Sequence, residues 1–243
     1  SYFQQHVAYD IEVVLNDSSH TLSAHEKLVY TNHSPDTLTF IWFHLWPNAY
    51  KNTETAFAMQ RERFLNTSFI YSDEKERGFI DSLDFHVNGE KTNWEFHPEW
   101  IDVAKVQLQK PLIPGGVITI ETPFFVKLPK VFSRLGHTGK HYEITQWYPK
   151  PAVYDHKGWH PMPYLDMGEF YSEFGSFDVK ITLPEKYRIM ATGDLVNGEV
   201  EYAWLDSLAI VGDSLHSLNK KAFKKAIKKM KKDIGFEILS SLN

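Results

Sequence analysis

Tyr9–Tyr30 reads YDIEVVLNDSSHTLSAHEKLVY, and this stretch decides the fold class. Tyr9, Ile11, Val13 and Leu15 alternate with Asp10, Glu12 and Asn16. Leu22, Ala24, Leu28 and Tyr30 then fall on one parity, with Ser23, His25 and Lys27 on the other. A period of two sends successive side chains to opposite faces of a strand, so each run has one face in a core and one in water. Asn16-Asp17-Ser18-Ser19 between the runs is turn chemistry.

The same grammar recurs along the chain. A turn at Asn32–Asp36 leads into the dense apolar run Leu38–Leu45. Thr53 is placed to cap a short helix reaching about Leu65, with Glu54 in its first turn. Strand patterns resume at Phe79–Val87, followed by Asn88-Gly89, a tight-hairpin signal. Ile101–Leu108 and Val117–Val126 flank the turn Pro114-Gly115-Gly116. Phe177, Val179, Ile181 and Leu183 give the clearest alternation, and Arg188–Leu195, closed by Asn197-Gly198, reads as one more strand. After Trp204 the character changes. Phe223, Ile227, Met230 and Ile234 form a helical stripe among lysines. The expected fold is all-β, an antiparallel sandwich or saddle-shaped pair of sheets, with one short helical insertion and a C-terminal basic amphipathic helix. The expected domains are 1–205, all-β, and 206–243, a lysine-rich helical tail.

Composition sets limits. The 243 residues are 42% hydrophobic and 15% aromatic, which supports a folded core. The net charge is −5, yet residues 201–243 hold eight lysines against five acids, so the body is acidic. An acidic body gives no footing for nucleic acid. The absence of cysteine excludes disulfides, thiolate metal sites and cysteine nucleophiles. No apolar run approaches a membrane span.

Thr145–Asp166, TQWYPKPAVYDHKGWHPMPYLD, is the most unusual segment, dense in large rings and prolines. With the opening strands, LTFIWFHLWPNAYKN at Leu38–Asn52 and FGSFDVKITLPEKYRIMATGDL at Phe174–Leu195, it resembles the N-terminal β-domain of zinc aminopeptidases of the aminopeptidase N (gluzincin) family, bacterial type. The stretches occur in family order and together cover most of residues 8–205. The resemblance implies a saddle-shaped domain packed against a thermolysin-like zinc domain. It implies that a T-Q-x-[Glu/Gln] segment reaches the active site, its Gln lining the first substrate pocket and the acid or amide binding the free amino group of the peptide. Thr145 and Gln146 match; Tyr148 stands at the acid or amide position and carries no charge at pH 7.

The family's H-E-x-x-H signature is missing. The nearest string is His25-Glu26-Lys27-Leu28-Val29, with Val where the second His belongs, on an expected strand that spreads its ends more than about 12 Å apart at roughly 3.3 Å per residue. The expected substrate-binding residues are therefore Gln146 and Tyr148, with Trp147, Tyr154 and Trp159 as a partner interface, no catalytic residue and no metal ligand. No cofactor is expected in this chain. Zinc and the catalytic machinery would come from a C-terminal catalytic domain acting on peptide substrates, and this chain alone would be inactive. The compartment is open, with the periplasm or cell surface favoured by the resemblance. The alternative is a non-catalytic β-sandwich module that binds peptide, glycan or a protein partner through its aromatic loop.

Other candidates have simpler readings. His156 and His160 share a metal-like spacing, but Gly158 and Pro161 oppose a helix, so they read as loop histidines. Asp155, Asp166 and Glu169 lack the spacing of a calcium loop and read as surface carboxylates. The lysine helix reads as a solvated terminal helix, or as one for an acidic surface. Whichever function holds, Thr145–Asp166 is the expected working surface, with part of its run exposed as an apolar patch and the Gln146 amide at a strand end near solvent.

Overall fold

The computed structural model describes residues 2–234. Of the expected helical stripe, the side chains of Met230 and Ile234 lie outside the described residues, as does the chain from 235 onward. The structure is mostly β and divides into two compact units, Ser1–Pro184 and Glu185–Asn243.

The first unit opens with β1 (His6–Asn16), β2 (Thr21–Thr31) and β3 (Leu38–His44). A 3-10 turn at Trp46–Tyr50 and helix α1 (Ala56–Arg63) follow. Short strands β4 (Phe79–Asp81), β5 (His86–Val87), β6 (Glu90–Lys91) and β7 (Trp94–Phe96) precede the long strands β8 (Val103–Leu112) and β9 (Val117–Lys127). Next come β10 (Leu135–Thr138), β11 (His141–Ile144), β12 (Lys150–Pro151), β13 (Tyr154–Asp155), β14 (Gly158–Trp159) and β15 (Gly175–Thr182).

One sheet runs in the order β15-β1-β2-β9-β5-β6, with β4 also on β9; a four-stranded sheet runs β12-β3-β8-β7. β10-β11 and β13-β14 are separate hairpins. The alternation in β1 and β2 is realised: Val7, Tyr9, Ile11, Val13, Leu22, Leu28 and Tyr30 are buried. Every ladder between named strands is antiparallel save one. β15 lies parallel to β1, Val7 beside Gly175 and Val13 beside Ile181. A connection of more than 150 residues separates them, so no tight turn dictates antiparallel entry.

Several local expectations are corrected. The cap of α1 is Thr55, not Thr53: Asn52 already folds a turn by accepting from Glu54 N–H, and the Thr55 hydroxyl accepts from Ala58 N–H at 3.2 Å while donating to Ala49 O at 2.7 Å. Phe79–Val87 is two strands, broken where Ser82 takes φ 59°. Asn88-Gly89 does turn a hairpin, with φ 51° and 81°.

In the second unit Arg188–Leu195 is not a strand. Thr192-Gly193-Asp194 is turn chemistry with Gly193 at φ 96°, and Met190 is exposed. Helix starts earlier than the change of character at Trp204 suggested: α2 spans Glu199–His216, with Glu199 and Glu201 suited to the partial positive charge of its N-terminus. α3 spans Lys220–Ile234 and is capped by Asn219, which accepts from Ala222 N–H at 3.0 Å. No helix among the described residues is long and apolar enough to cross a membrane.

Candidate functional site

The Thr145–Asp166 run has almost no ladder of its own, so side chains from elsewhere hold it. The His44 ring nitrogen Nε2 lies 3.2 Å from Met162 N, and Trp46 Nε1–H donates to Met162 O at 3.1 Å. Asp102 Oδ2 accepts from Tyr164 N–H at 2.6 Å. The buried Arg61 guanidinium binds Asp166 Oδ2 at 2.9 Å and Phe132 O at 2.6 Å. Tyr164 itself is core, its ring 5.4 Å from Tyr50 and 5.6 Å from Phe57. One end of the run is therefore bolted into the hydrophobic interior, leaving the other to present side chains.

Gln146 lies two residues beyond the end of β11, half-buried, with φ 56°. Left-handed backbone is uncommon for a residue with a Cβ. Lys150 Nζ donates to Gln146 Oε1. Gln146 Nε2 makes no hydrogen bond and is not sealed from solvent.

Lys150 is the unexpected residue of the site. It sits on the edge strand β12, opposite His44 of β3, and is 6% exposed. Its ammonium lies 3.9 Å from the centre of the Trp46 ring and 6.0 Å from that of Tyr148. Burial lowers its pKa to about 7. His44, stacked on Trp46 at 4.5 Å, is pulled down to about 3 by burial and by the Lys150 charge, so the imidazole is neutral. The Met162 N–H donates to Nε2, which puts the His44 proton on Nδ1. Asp102 is pushed up to about 7 by burial, against the pull of its hydrogen bond from Tyr164.

The expected aromatic residues are all half-buried. Trp147 packs 5.9 Å from Phe124 and 5.4 Å from Tyr148. Tyr148 meets Tyr9 edge-on at 5.6 Å and Phe177 at 5.9 Å, and burial raises its hydroxyl pKa, with Glu26 adding to the shift. Tyr154 and Trp159 face each other across the β13–β14 hairpin at 4.9 Å, and the Tyr154 hydroxyl donates to Asp36 Oδ2. Trp147 and Tyr148 thus share one neighbourhood with Gln146 and Lys150, while Tyr154 and Trp159 form a second. Strongly exposed apolar side chains come just after the run, at Met167, Tyr171 and Phe174, and Phe177 is 49% exposed beside Tyr148.

Glu26 also escaped the sequence pattern. It occupies the apolar parity of β2, opposite Ile11 and Thr122, 1% exposed, with both carboxylate oxygens lacking a partner. Its position between Ala24 and Leu28 on that parity was the available signal. Burial raises its pKa well above the usual carboxylate value, because a charged carboxylate is disfavoured there. Lys150, flanked by Pro149 and Pro151, carried no comparable signal.

These residues do not fit a zinc ion. His25 is exposed on the outer face of β2 and Glu26 points inward, so the nearest approach to a zinc signature cannot converge. His160 uses its Nε2 on Asp155 Oδ1 at 2.8 Å; this bond and that from Lys157 N–H hold the Asp155 pKa at about 2. Among the described residues no group of three or more His, Asp or Glu side chains is placed to hold a metal.

No protein-family model matches the chain, and no curated protein matches it. Among solved structures it is similar to an M1 zinc metallopeptidase from Deinococcus radiodurans, at 14% identity and TM-score 0.39, covering 81% of this chain and 37% of that one. A mutant of that enzyme bound to a Tyr-Ser-Ala substrate gives 15% identity and TM-score 0.40, over 80% and 37%. Yeast LTA4 hydrolase in complex with bestatin gives 10% identity and TM-score 0.26, over 51% and 14%. The chain therefore spans little more than a third of the length of the metallopeptidases it matches.

Proposed function

We propose that this chain is the substrate-side β-domain of a zinc aminopeptidase-like protein, binding and orienting peptide for a C-terminal catalytic domain that supplies the metal and the general base. Three things support the reading: the ordered resemblance over residues 8–205, the all-β architecture and the setting of Gln146. The last carries most weight. A half-buried polar amide stands just past a strand end, in left-handed backbone, with its NH2 group not sealed from solvent and half-buried rings beside it. Such a polar group on an apolar rim orients a ligand while the rings exclude water.

The test is kinetic, on the natural full-length reading frame. Aminoacyl-p-nitroanilides should be cleaved, and Gln146→Ala should raise KM several-fold with a smaller change in kcat, because the residue binds but does not touch the reacting atoms. A full-length protein with no peptidase activity, or one indifferent to Gln146→Ala, defeats the proposal and leaves the non-catalytic binding module.

A further inference from the structure

An ammonium has donors and no acceptor, so while Lys150 is protonated, below its pKa of about 7, the side of the amide that faces it must be the oxygen. Lys150 therefore turns Oε1 of Gln146 inward. The amide is planar, and Nε2 with its two N–H groups is thereby turned away, without a partner among the described residues and not sealed from solvent. Lys150 is itself held: β12 pairs it with His44, and the Trp46 ring lies beneath its charge at 3.9 Å. No carboxylate among the described residues comes within ion-pair distance to divert it. The backbone of Gln146 at φ 56° completes the constraint.

We infer that Lys150 is a positioning residue that fixes Gln146 as a hydrogen-bond donor, so that this site takes an acceptor oxygen of a peptide, a carbonyl or a carboxylate, and not its ammonium. The inference rests on the peptide-binding reading above and narrows it. An amide free to turn would serve either end of a peptide; an amide locked oxygen-inward serves only acceptors. Lys150 matters through its single contact with Gln146 and needs no contact with the ligand.

The experiment is NMR of the side-chain NH2 signals of Gln146 in the 243-residue chain, at a pH below the Lys150 pKa of about 7 so that the ammonium is present, with three small probes. N,N-dimethylacetamide can only accept, acetate is an anionic acceptor, and ethylammonium can only donate. The expected result is a shift of the Gln146 NH2 signals with dimethylacetamide or acetate, whichever responds naming the oxygen source, and none with ethylammonium. In Lys150→Met the discrimination should be lost, whereas Lys150→Arg, which keeps a cationic donor, should retain it. A merely structural lysine would leave the probe preference unchanged. A response to ethylammonium alone, or to no probe, in the wild-type chain overturns the inference even if Lys150→Met does not fold. Because the readout needs no catalysis, it can fail while the full-length enzyme still depends on Gln146, and the reverse.

Discussion

The ammonium of Lys150 and the indole of Trp46 lie 3.9 Å apart, a cation over an aromatic face in a nearly water-free setting. A desolvated pair of this kind is worth about 2 kcal/mol, less than the cost of burying the charge. The lowered pKa of Lys150, about 7, is the sign that desolvation wins.

A pH dependence follows. The unfolded lysine titrates near 10.4. Between about 7 and that value the unfolded chain binds more protons, so stability contributed by this residue rises with pH across the window. Urea unfolding at stepped pH should show the rise in the wild type and a flatter profile in Lys150→Met. An unchanged profile in the variant would mean that the folded lysine titrates normally.

Asp102 should act in the opposite sense. Its folded pKa is raised to about 7, so the folded state binds more protons from about 4 upward, and stability falls as pH rises through that window. Asp102→Asn keeps an oxygen for the Tyr164 N–H and removes the ionisation. Its expected gain is on the order of 1–3 kcal/mol at pH 8, and little below pH 4. A loss at pH 8 would show that the ionised carboxylate is needed.

Glu26 offers a direct test of an unpartnered buried acid. Glu26→Leu fills the same parity among Ile11, Leu28 and Phe124 with a side chain that wants no hydrogen bond. We expect stabilisation on the order of 1–3 kcal/mol at neutral pH, read as a higher urea midpoint at constant slope. Since the folded pKa of Glu26 is raised, the gain should grow as pH rises above the usual carboxylate range and be smallest in acid. Destabilisation at every pH would mean that the carboxyl has a partner such as bound water.

The lysine-rich tail should be dispensable for the β-fold. Phe223 is exposed and Ile227 half-buried on α3, and the first unit is compact without them. Deleting residues 215–243 should cost at most about 1–2 kcal/mol in a denaturant titration. If the shortened chain no longer unfolds cooperatively, the lysine-rich helix completes the core.

The long strands were legible because β1, β2, β8 and β9 are half-buried and their alternation is written along the chain. Gly-containing turns were equally plain where the backbone needs positive φ, as at Asn88-Gly89. Shorter elements were not, because their boundaries depend on tertiary hydrogen bonds: Thr55 beats Thr53 through a bond to Ala49. In the candidate site, the position of Gln146 was readable only by resemblance. Its orientation was not readable at all, since it depends on Lys150, four residues on, being held in place by His44 and Trp46 from a distant part of the sequence. A pattern of polar and apolar residues also assigns lysines to solvent by default, which hides a buried one.

The parallel seam between β1 and β15 has a consequence in time. Glu12 and Lys180, ion-paired across it, are 168 residues apart. During synthesis β1 can pair with β2 almost at once, but its other edge must wait until β15 has been made. At about 5–20 residues per second that is an interval of roughly ten to thirty seconds, during which a strand carrying Val7, Tyr9, Ile11 and Val13 presents open backbone groups. Chaperone demand should therefore peak for nascent chains that stop just short of residue 175, and ease once the last strand has emerged.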